Sequence, residues 1–199
     1  MTREEAYKLL TNMMSNKNLI KHGLAVEAIM KALCRYLKNS QMSSDRGIFG
    51  TEFNEEEWAI VGLLHDADYE LIEKDPTRHT LVTEEKLREI GGVSERIING
   101  VKSHHDGIKA GRDNLMESSI YATDELSGLI TAAALVRPDK KLSSVTVESV
   151  MKRFKEKSFA AGANREQILA CERELNIPLE EFVGIALTAM QNISSELGL

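Results

Sequence analysis

The sequence predicts an all-helical protein, and three observations carry that prediction. The chain has 199 residues, enough for one domain with a sizeable core. Hydrophobic residues make up 42% of it, yet aromatic residues only 5% and prolines only three, while Glu, Lys, Leu and Ala fill long stretches that favour helices. Apolar residues recur every three to four positions, the spacing of a buried helical stripe. We therefore expect helices joined by short polar breaks.

The first two helices are predicted from their capping residues and their apolar faces. Thr2 can cap a first helix, with Glu5 completing a capping box. Asn18 is expected to cap a second helix from Leu19 to about Leu37. His22 shares the apolar face of this second helix, so it is expected to point inward.

A third helix is expected to be the centre of the fold. Residues 39–54 are polar with two glycines and predict a surface loop, at the end of which Asn54 caps the helix Glu55–Asp66. This helix is an apolar run that ends in the adjacent pair His65 and Asp66. Because an unpaired charge in an apolar place is costly, the pair indicates either a metal ligand set or a core histidine beside a solvated aspartate.

The remaining helices are predicted from similar start and stop signals. His79 begins a pattern that Gly91 and Gly92 close, after a turn at Lys74-Asp75-Pro76, and Ser94 caps the segment that follows. The later predicted helices are Ser94–His105, Leu115–Val136, Val147–Lys157, Arg165–Leu175 and Pro178–Leu197.

Charge and cysteine content exclude several classes of protein. The net charge of −6 argues against extended nucleic-acid binding, although a nucleotide could still occupy a pocket. Cys34 and Cys171 lie far apart without a CxxC motif, which argues against a thiolate zinc site and a disulfide framework. We find no apolar segment typical of a signal peptide or a membrane span, and therefore expect a cytoplasmic protein that binds no membrane.

All five histidines lie in the first 105 residues, and most of them fall on apolar faces or at helix ends. In chain order they form, with two aspartates, the pattern His22, His65-Asp66, His79, His104-His105 and Asp124. Asp124 lies on the inner side of its predicted helix, where a surface aspartate would not be expected. Several separate elements therefore each point one potential metal ligand inward.

This pattern resembles the HD superfamily of metal-dependent phosphohydrolases, over about half of the chain. The histidines between the His-Asp pair and the last aspartate make it similar to the two-metal branch of that superfamily. The resemblance implies a first ion held by His22, His65, Asp66 and Asp124. It implies a second ion held by Asp66, His79 and His104, so that Asp66 bridges the two ions.

The resemblance also implies a fold, a chemistry and a substrate class. Residues 1–136 would form the HD-type helical domain, and residues 137–199 a C-terminal helical extension packed on it as one compact unit. Nitrogen and oxygen ligands without sulfur favour Fe or Mn for the one or two divalent ions, with Zn, Ni, Co and Mg as alternatives. The expected reaction is hydrolysis of a phosphomonoester, phosphodiester or nucleotide by a metal-bound hydroxide, with Asp66, His104 and His105 as catalytic residues. The substrate would be small, and a homodimer is one alternative for the assembly.

The chain departs from the family pattern in three places. Asp106-Gly107-Ile108 follows the histidine pair where cyclic-dinucleotide phosphodiesterases of the family carry Gly-Tyr-Pro. Tyr69 stands where a lysine is often found, and it is our candidate for substrate contact. His105 has three alternative roles: a metal ligand, a base beside the ions, or neither.

Two further functions are compatible with the same ligands. HD-fold di-iron oxygenases use a similar set with a redox-active metal, and a sensor would bind nucleotide or metal without chemistry. Metal content, paired with a screen for phosphate release, separates the three.

A basic segment follows the last predicted ligand helix. Residues 137–157 carry seven lysines and arginines against three acids, whereas the rest of the chain is strongly acidic. We expect Arg137, and more weakly Lys140, to contact the distal end of a large anionic substrate, because guanidinium grips phosphate through two hydrogen bonds.

Overall fold

The computed structural model describes residues 1–42, 53–72, 75 and 77–199, and among these residues it contains helices and no strand. The prediction of an all-α fold is therefore confirmed. The helices are α1 (Arg3–Met13), α2 (Lys17–Met42), α3 (Glu55–Leu64), α4 (Leu81–Ile90), α5 (Glu95–Lys102), α6 (Leu115–Leu135), α7 (Val147–Lys155), α8 (Arg165–Ile168), α9 (Ala170–Glu174), α10 (Leu179–Asn192) and α11 (Ser194–Leu197), with a short 3-10 turn at Leu142–Ser144.

Helix α3 is the buried centre of the fold. Each of its residues from Trp58 to Leu64 is buried, and it packs against α1, α2, α5 and α6. Asn54 caps its first turn as predicted, because its side chain accepts hydrogen bonds from the backbone of Glu56 and Glu57. A helix that is apolar on all sides can only be covered by other helices, so α3 fixes the positions of its neighbours.

Two glycines allow helices to approach α3 closely. A Cβ at Gly62 would lie 2.8 Å from the carbonyl oxygen of Val26 on α2. A Cβ at Gly100 on α5 would lie 2.7 Å from a methyl carbon of Val61. These distances are shorter than a Cβ atom tolerates, so the close spacing between α3 and both neighbours depends on having glycine at these two positions.

Several predicted helix ends shift in the structure. Helix α2 begins two residues before the predicted start, because the Asn16 side chain, rather than Asn18, accepts the first backbone hydrogen bond there. It also continues to Met42, into the segment predicted as a loop. The rest of that loop, residues 43–52, and most of the predicted turn at 74–76 lie outside the described residues.

Helices α3 and α5 end earlier than predicted. Helix α3 stops at Leu64, so the His65-Asp66 pair begins a series of turns. Helix α5 stops at Lys102, where the Ser103 backbone N–H is shared between the carbonyl oxygens of Asn99 and Gly100 in a tighter turn. The Ser103 hydroxyl also donates to the Asn99 carbonyl oxygen, and His104 lies in the turn that follows. The histidines at these ends are thus placed by turns rather than by regular helix.

The C-terminal segment packs on the helices that come before it. Helices α7, α8, α9 and α10 contact α6, and α10 and α11 contact α2. The single helix predicted for residues 165–175 is instead two short helices, since a tighter bond from the backbone of Glu172 to Leu169 interrupts it. The helix predicted for residues 178–197 is likewise divided, at Ile193. The division of the chain at residue 136 stays a prediction.

Candidate metal centre

The first cluster consists of His22, His65, Asp66 and Asp124, each of which offers one ligand atom within 4.8 Å of the others. His22 comes from α2, the His65-Asp66 pair directly follows α3, and Asp124 lies in the middle of α6. The Nε2 atom of His22 lies 3.0 Å from Asp124 Oδ1, and that of His65 lies 3.5 Å from the same oxygen. Three helices that pack against one another in the core, α2, α3 and α6, thus bring these side chains together.

The second cluster consists of Asp66, His79 and His104, again with ligand atoms within 4.8 Å of one another. His79 lies in the turn before α4, and His104 lies in the turn after α5. Both imidazoles are almost fully buried. Two turns, rather than helices, therefore supply the histidines of this cluster.

Asp66 belongs to both clusters, and its two oxygens face different histidines. Oδ2 lies 3.6 Å from the Nε2 atoms of both His22 and His65. Oδ1 lies 3.2 Å from Nε2 of His79 and 3.3 Å from Nε2 of His104. A carboxylate with one oxygen toward each cluster has the arrangement of a bridging ligand.

The Nδ1 atom of each of the four histidines faces a hydrogen-bond acceptor. For His65 and His104 the acceptors are the carbonyl oxygens of Gly62 and Val101, at 2.8 and 2.6 Å. For His79 it is the Asp68 carboxylate, at 2.9 Å. Since carbonyl and carboxylate oxygens only accept, Nδ1 of each ring carries the hydrogen and Nε2 carries the lone pair.

His22 reaches the same tautomer through a hydroxyl. The Ser127 hydroxyl donates to the backbone carbonyl of Asp124 at 2.9 Å. Its oxygen is then free to accept a hydrogen bond from Nδ1 of His22 at 3.0 Å. All four Nε2 lone pairs are thus directed toward the two clusters.

The Nε2 lone pair of His22 faces that of His65, and the lone pair of His79 faces that of His104. Each of these contacts requires a cation between the two nitrogen atoms. The Nε2 atoms of His22 and His65 are 3.0 Å apart, and those of His79 and His104 are 2.9 Å apart. Two neutral acceptors at this distance repel each other, whereas a proton or a metal ion between them is attracted to both. The donor set therefore fits a divalent metal ion in each cluster, and these clustered residues could hold one.

The pKa values of the metal-free protein show which groups would bind protons in place of metal ions. Burial alone would lower the pKa of His65, but the charges of Asp66 and Asp124 outweigh it and raise that pKa to about 9. Burial also opposes charge on His79, yet hydrogen bonds to Asp66 and Asp68 raise its pKa to about 9. Although burial would raise the pKa of Asp66, its histidine neighbours hold it well below its ordinary range. The site thus favours two carboxylates and a bound positive charge.

Two residues that hold these histidines were not identified from the sequence as their partners. Asp68 is fully buried and accepts hydrogen bonds from His79 Nδ1 and from the backbone N–H of Thr83 at 3.1 Å. Thr80, between them, has a left-handed backbone with φ of 66°. Ser127 does the equivalent for His22 in the first cluster. A polar residue one turn from Asp124 was a usable signal for Ser127, but the turn that folds His79 onto Asp68 has no local sequence signature.

A cavity of about 570 Å³ opens beside both clusters. The described residues that line it include four carboxylates, three histidines, two side-chain amides and Tyr69, and no lysine or arginine. They are Asp66, Tyr69, Ile72, His79, His104, His105, Asp106, Asp124, Glu125, Asn164 and Gln167. Asn164 and Gln167 come from the C-terminal segment, which the sequence did not connect with the site.

His105 and Tyr69 both reach this cavity. The buried Nδ1 of His105 has no hydrogen-bond partner among the described residues. Burial lowers the pKa of His105, and the neighbouring His79 and His104 lower it further, so this ring is neutral near pH 7. Tyr69 is about half exposed, and its ring meets the edge of the His79 ring at a centroid distance of 6.0 Å.

Arg137 and Lys140 are not brought to the cavity. Among the described residues, Arg137 lines a separate pocket of about 220 Å³ with Ser149, Lys152 and Arg153. Lys140 is exposed and has a left-handed backbone with φ of 52°. A role for either residue in contacting substrate stays a prediction, and it would require a ligand that extends well beyond the cavity.

Comparison with known proteins agrees with this geometry. No described helix is both long enough and apolar enough to cross a bilayer. Searches of curated proteins and of solved structures gave no significant match. The family model described as HD domain matches residues 19–143, which is more than half of the chain and includes every residue of both clusters. The chain therefore belongs to the HD domain family.

Proposed function

We propose that the protein is a metal-dependent phosphohydrolase that acts on a small phosphate ester with two divalent ions. Membership of the HD family supports a metal-dependent hydrolase, because hydrolysis with metal ions is the common activity of that family. The observation that carries the two-ion proposal is the orientation of Asp66, which turns one oxygen to each pair of histidines. His22, His65, Asp66 and Asp124 would hold one ion, and Asp66, His79 and His104 the other.

The protein's own groups position the reaction. When bound, the ions would supply a water of lowered pKa and positive charge for the phosphoryl oxygens. The hydrogen bonds from Nδ1 of the four histidines keep the Nε2 atoms aimed inward, so little reorganisation is needed. The lowered pKa of His105 supports a role for this imidazole in accepting a proton rather than donating one.

Metal analysis together with substrate hydrolysis tests this proposal. Protein purified without added metal is analysed for bound ions, then reloaded separately with Mn, Zn or Fe. Phosphate release is measured from phosphomonoesters, phosphodiesters and nucleotides. We expect two ions per chain and metal-dependent release from at least one class, which Asp66→Asn should abolish.

Two results would contradict the proposal. Iron-loaded protein that consumes dioxygen and releases no phosphate would identify the HD-type oxygenase instead. Tight nucleotide binding without turnover by any metal form would identify a sensor. Glu166→Gln, a change of a highly exposed carboxylate outside the cavity, is the matched control and should behave as the unmodified protein.

A further inference from the structure

The cavity beside the metal clusters is unusually acidic for a site that receives a phosphate. Asp66 and Asp124 belong to the clusters, but Asp106 and Glu125 also line the cavity. Among the described residues of this lining, no lysine or arginine offsets them. Two divalent ions would only balance the four carboxylates, so little positive charge remains for a substrate with several phosphates.

Glu125 is the carboxylate with the fewest partners. It is half-buried and accepts one hydrogen bond, from the backbone N–H of Asn164 at 3.0 Å. Within the described part of the chain it makes no ion pair, whereas Arg112 lies 3.4 Å from Asp106. Arg112 is itself bound to Glu174 at 2.8 Å, so this group of three charges still carries a net negative charge.

The neighbouring amide adds a further acceptor. Both hydrogens of the Gln167 side chain are used, by the carbonyl oxygens of His104 at 3.2 Å and of Tyr121 at 2.9 Å. Its Oε1 atom is therefore left to accept a hydrogen bond in the cavity lining. Glu125, Gln167 and Asp106 together form an acceptor wall, a name we keep for these three residues.

We propose that the acceptor wall binds a positively charged ammonium group of the substrate. The substrate class would then be a small phosphate ester with an amino group at its other end, rather than a nucleoside triphosphate or another polyphosphate. This inference rests on the proposed function, because it places the phosphate at the metal clusters. An ammonium group supplies three donors and a charge that compensates Glu125.

A matched series of phosphonates tests the acceptor wall without turnover. The probes are 3-aminopropylphosphonate, butylphosphonate and 4-phosphonobutyrate, which differ only in an ammonium, methyl or carboxylate end. Their dissociation constants for the Zn-loaded protein are measured by calorimetry. We expect the ammonium probe to bind about tenfold more tightly than the methyl probe, and the carboxylate probe to bind most weakly.

Variants of the wall provide the control. Glu125→Gln keeps an oxygen for the Asn164 backbone N–H but removes the charge, and should bring the ammonium and methyl probes to within about twofold of each other. Asp106→Asn should reduce the preference less, because Arg112 already compensates Asp106 in part. Glu166→Gln, outside the cavity, should leave the order of the three probes unchanged.

The outcomes separate this inference from the proposed function. Equal binding of the ammonium and methyl probes, or tightest binding of the carboxylate probe, would overturn the inference even if phosphate esters are hydrolysed. Preserved ammonium selectivity in the Glu125→Gln, Asp106→Asn double variant would also overturn it. A clear ammonium preference with no phosphate release from any ester would support the acceptor wall while removing the proposed hydrolase activity.

Discussion

The two clusters share Asp66 but are built in different ways. The first takes its other ligands from α2, from the end of α3 and from α6, which pack together in the core. The second takes both of its histidines from turns, one of which contains a left-handed threonine. It also has one carboxylate where the first has two. Helix packing and higher negative charge should therefore make the first cluster the tighter metal site.

The largest expected effect comes from the residue that the clusters share. Asp66→Ala removes an oxygen from each site. It leaves His79 and His104 without a carboxylate and leaves the first cluster with Asp124 alone, so both ions should be lost. The loss in metal affinity should exceed the roughly 100-fold caused by changes to residues that only support ligands. Elemental analysis after dialysis measures it. Two ions retained in Asp66→Ala would show that Asp66 bridges nothing.

Substitutions in one cluster should separate the two sites. His79→Ala should release the second ion and leave the first in place, because the first cluster has three ligands besides Asp66. Asp124→Ala should weaken the first site and disturb the second less. Metal titration followed by calorimetry measures the affinities of both sites. Equal weakening of both sites by His79→Ala would mean that the two ions bind cooperatively, as a single unit.

Removing a hydrogen bond that supports a ligand should have a smaller effect on metal affinity, and the size of the effect should differ between the two clusters. Asp68→Ala removes the acceptor that fixes the His79 tautomer, and should weaken the second site by about 10- to 100-fold. Ser127→Ala does the same for His22, but the long helix α2 still holds that ring, so we expect the lower end of this range. The comparison is made on metal affinities at one pH. A larger loss for Ser127→Ala than for Asp68→Ala would reverse our ranking of the two clusters.

A last expected effect concerns the stability of the metal-free protein rather than its affinity for metal ions. The pKa values of His65 and His79 are raised to about 9, so their contribution to stability is complete below about pH 6.5 and is lost as the pH rises through 9. Each proton that leaves lowers the free energy of unfolding by up to about 1.4 kcal/mol per pH unit. Thermal unfolding of chelator-treated protein should therefore shift downward between pH 7 and 9. Metal-loaded protein, in which the ions replace these protons, should not show the shift.

Periodicity predicted the helical fold, whereas the six clustered residues were predicted from the resemblance of their order in the chain to the HD superfamily. His22 and Asp124 could be placed on inner faces by counting residues along a helix, and their neighbours agree with that count. The paired partners Asp68 and Ser127, and the lining residue Gln167, depend on how turns and distant helices fold against the site. Helix ends at Leu64 and Lys102 were also missed, because the local hydrogen bonds that end a helix leave the apolar pattern unchanged.

The glycine contact between α2 and α3 has a consequence for how function could be lost. His22 lies on one of these helices and the His65-Asp66 pair follows the other, so the distance between the two chain segments sets the distance between potential ligands. A methyl group at Gly62 would collide with the backbone of α2 at 2.8 Å and force the helices apart. In a random-mutagenesis screen for inactive variants, Gly62→Ala should therefore appear beside substitutions of histidine and aspartate. A glycine, which has no side chain to contribute to the chemistry, would then rank among the most sensitive positions in the protein.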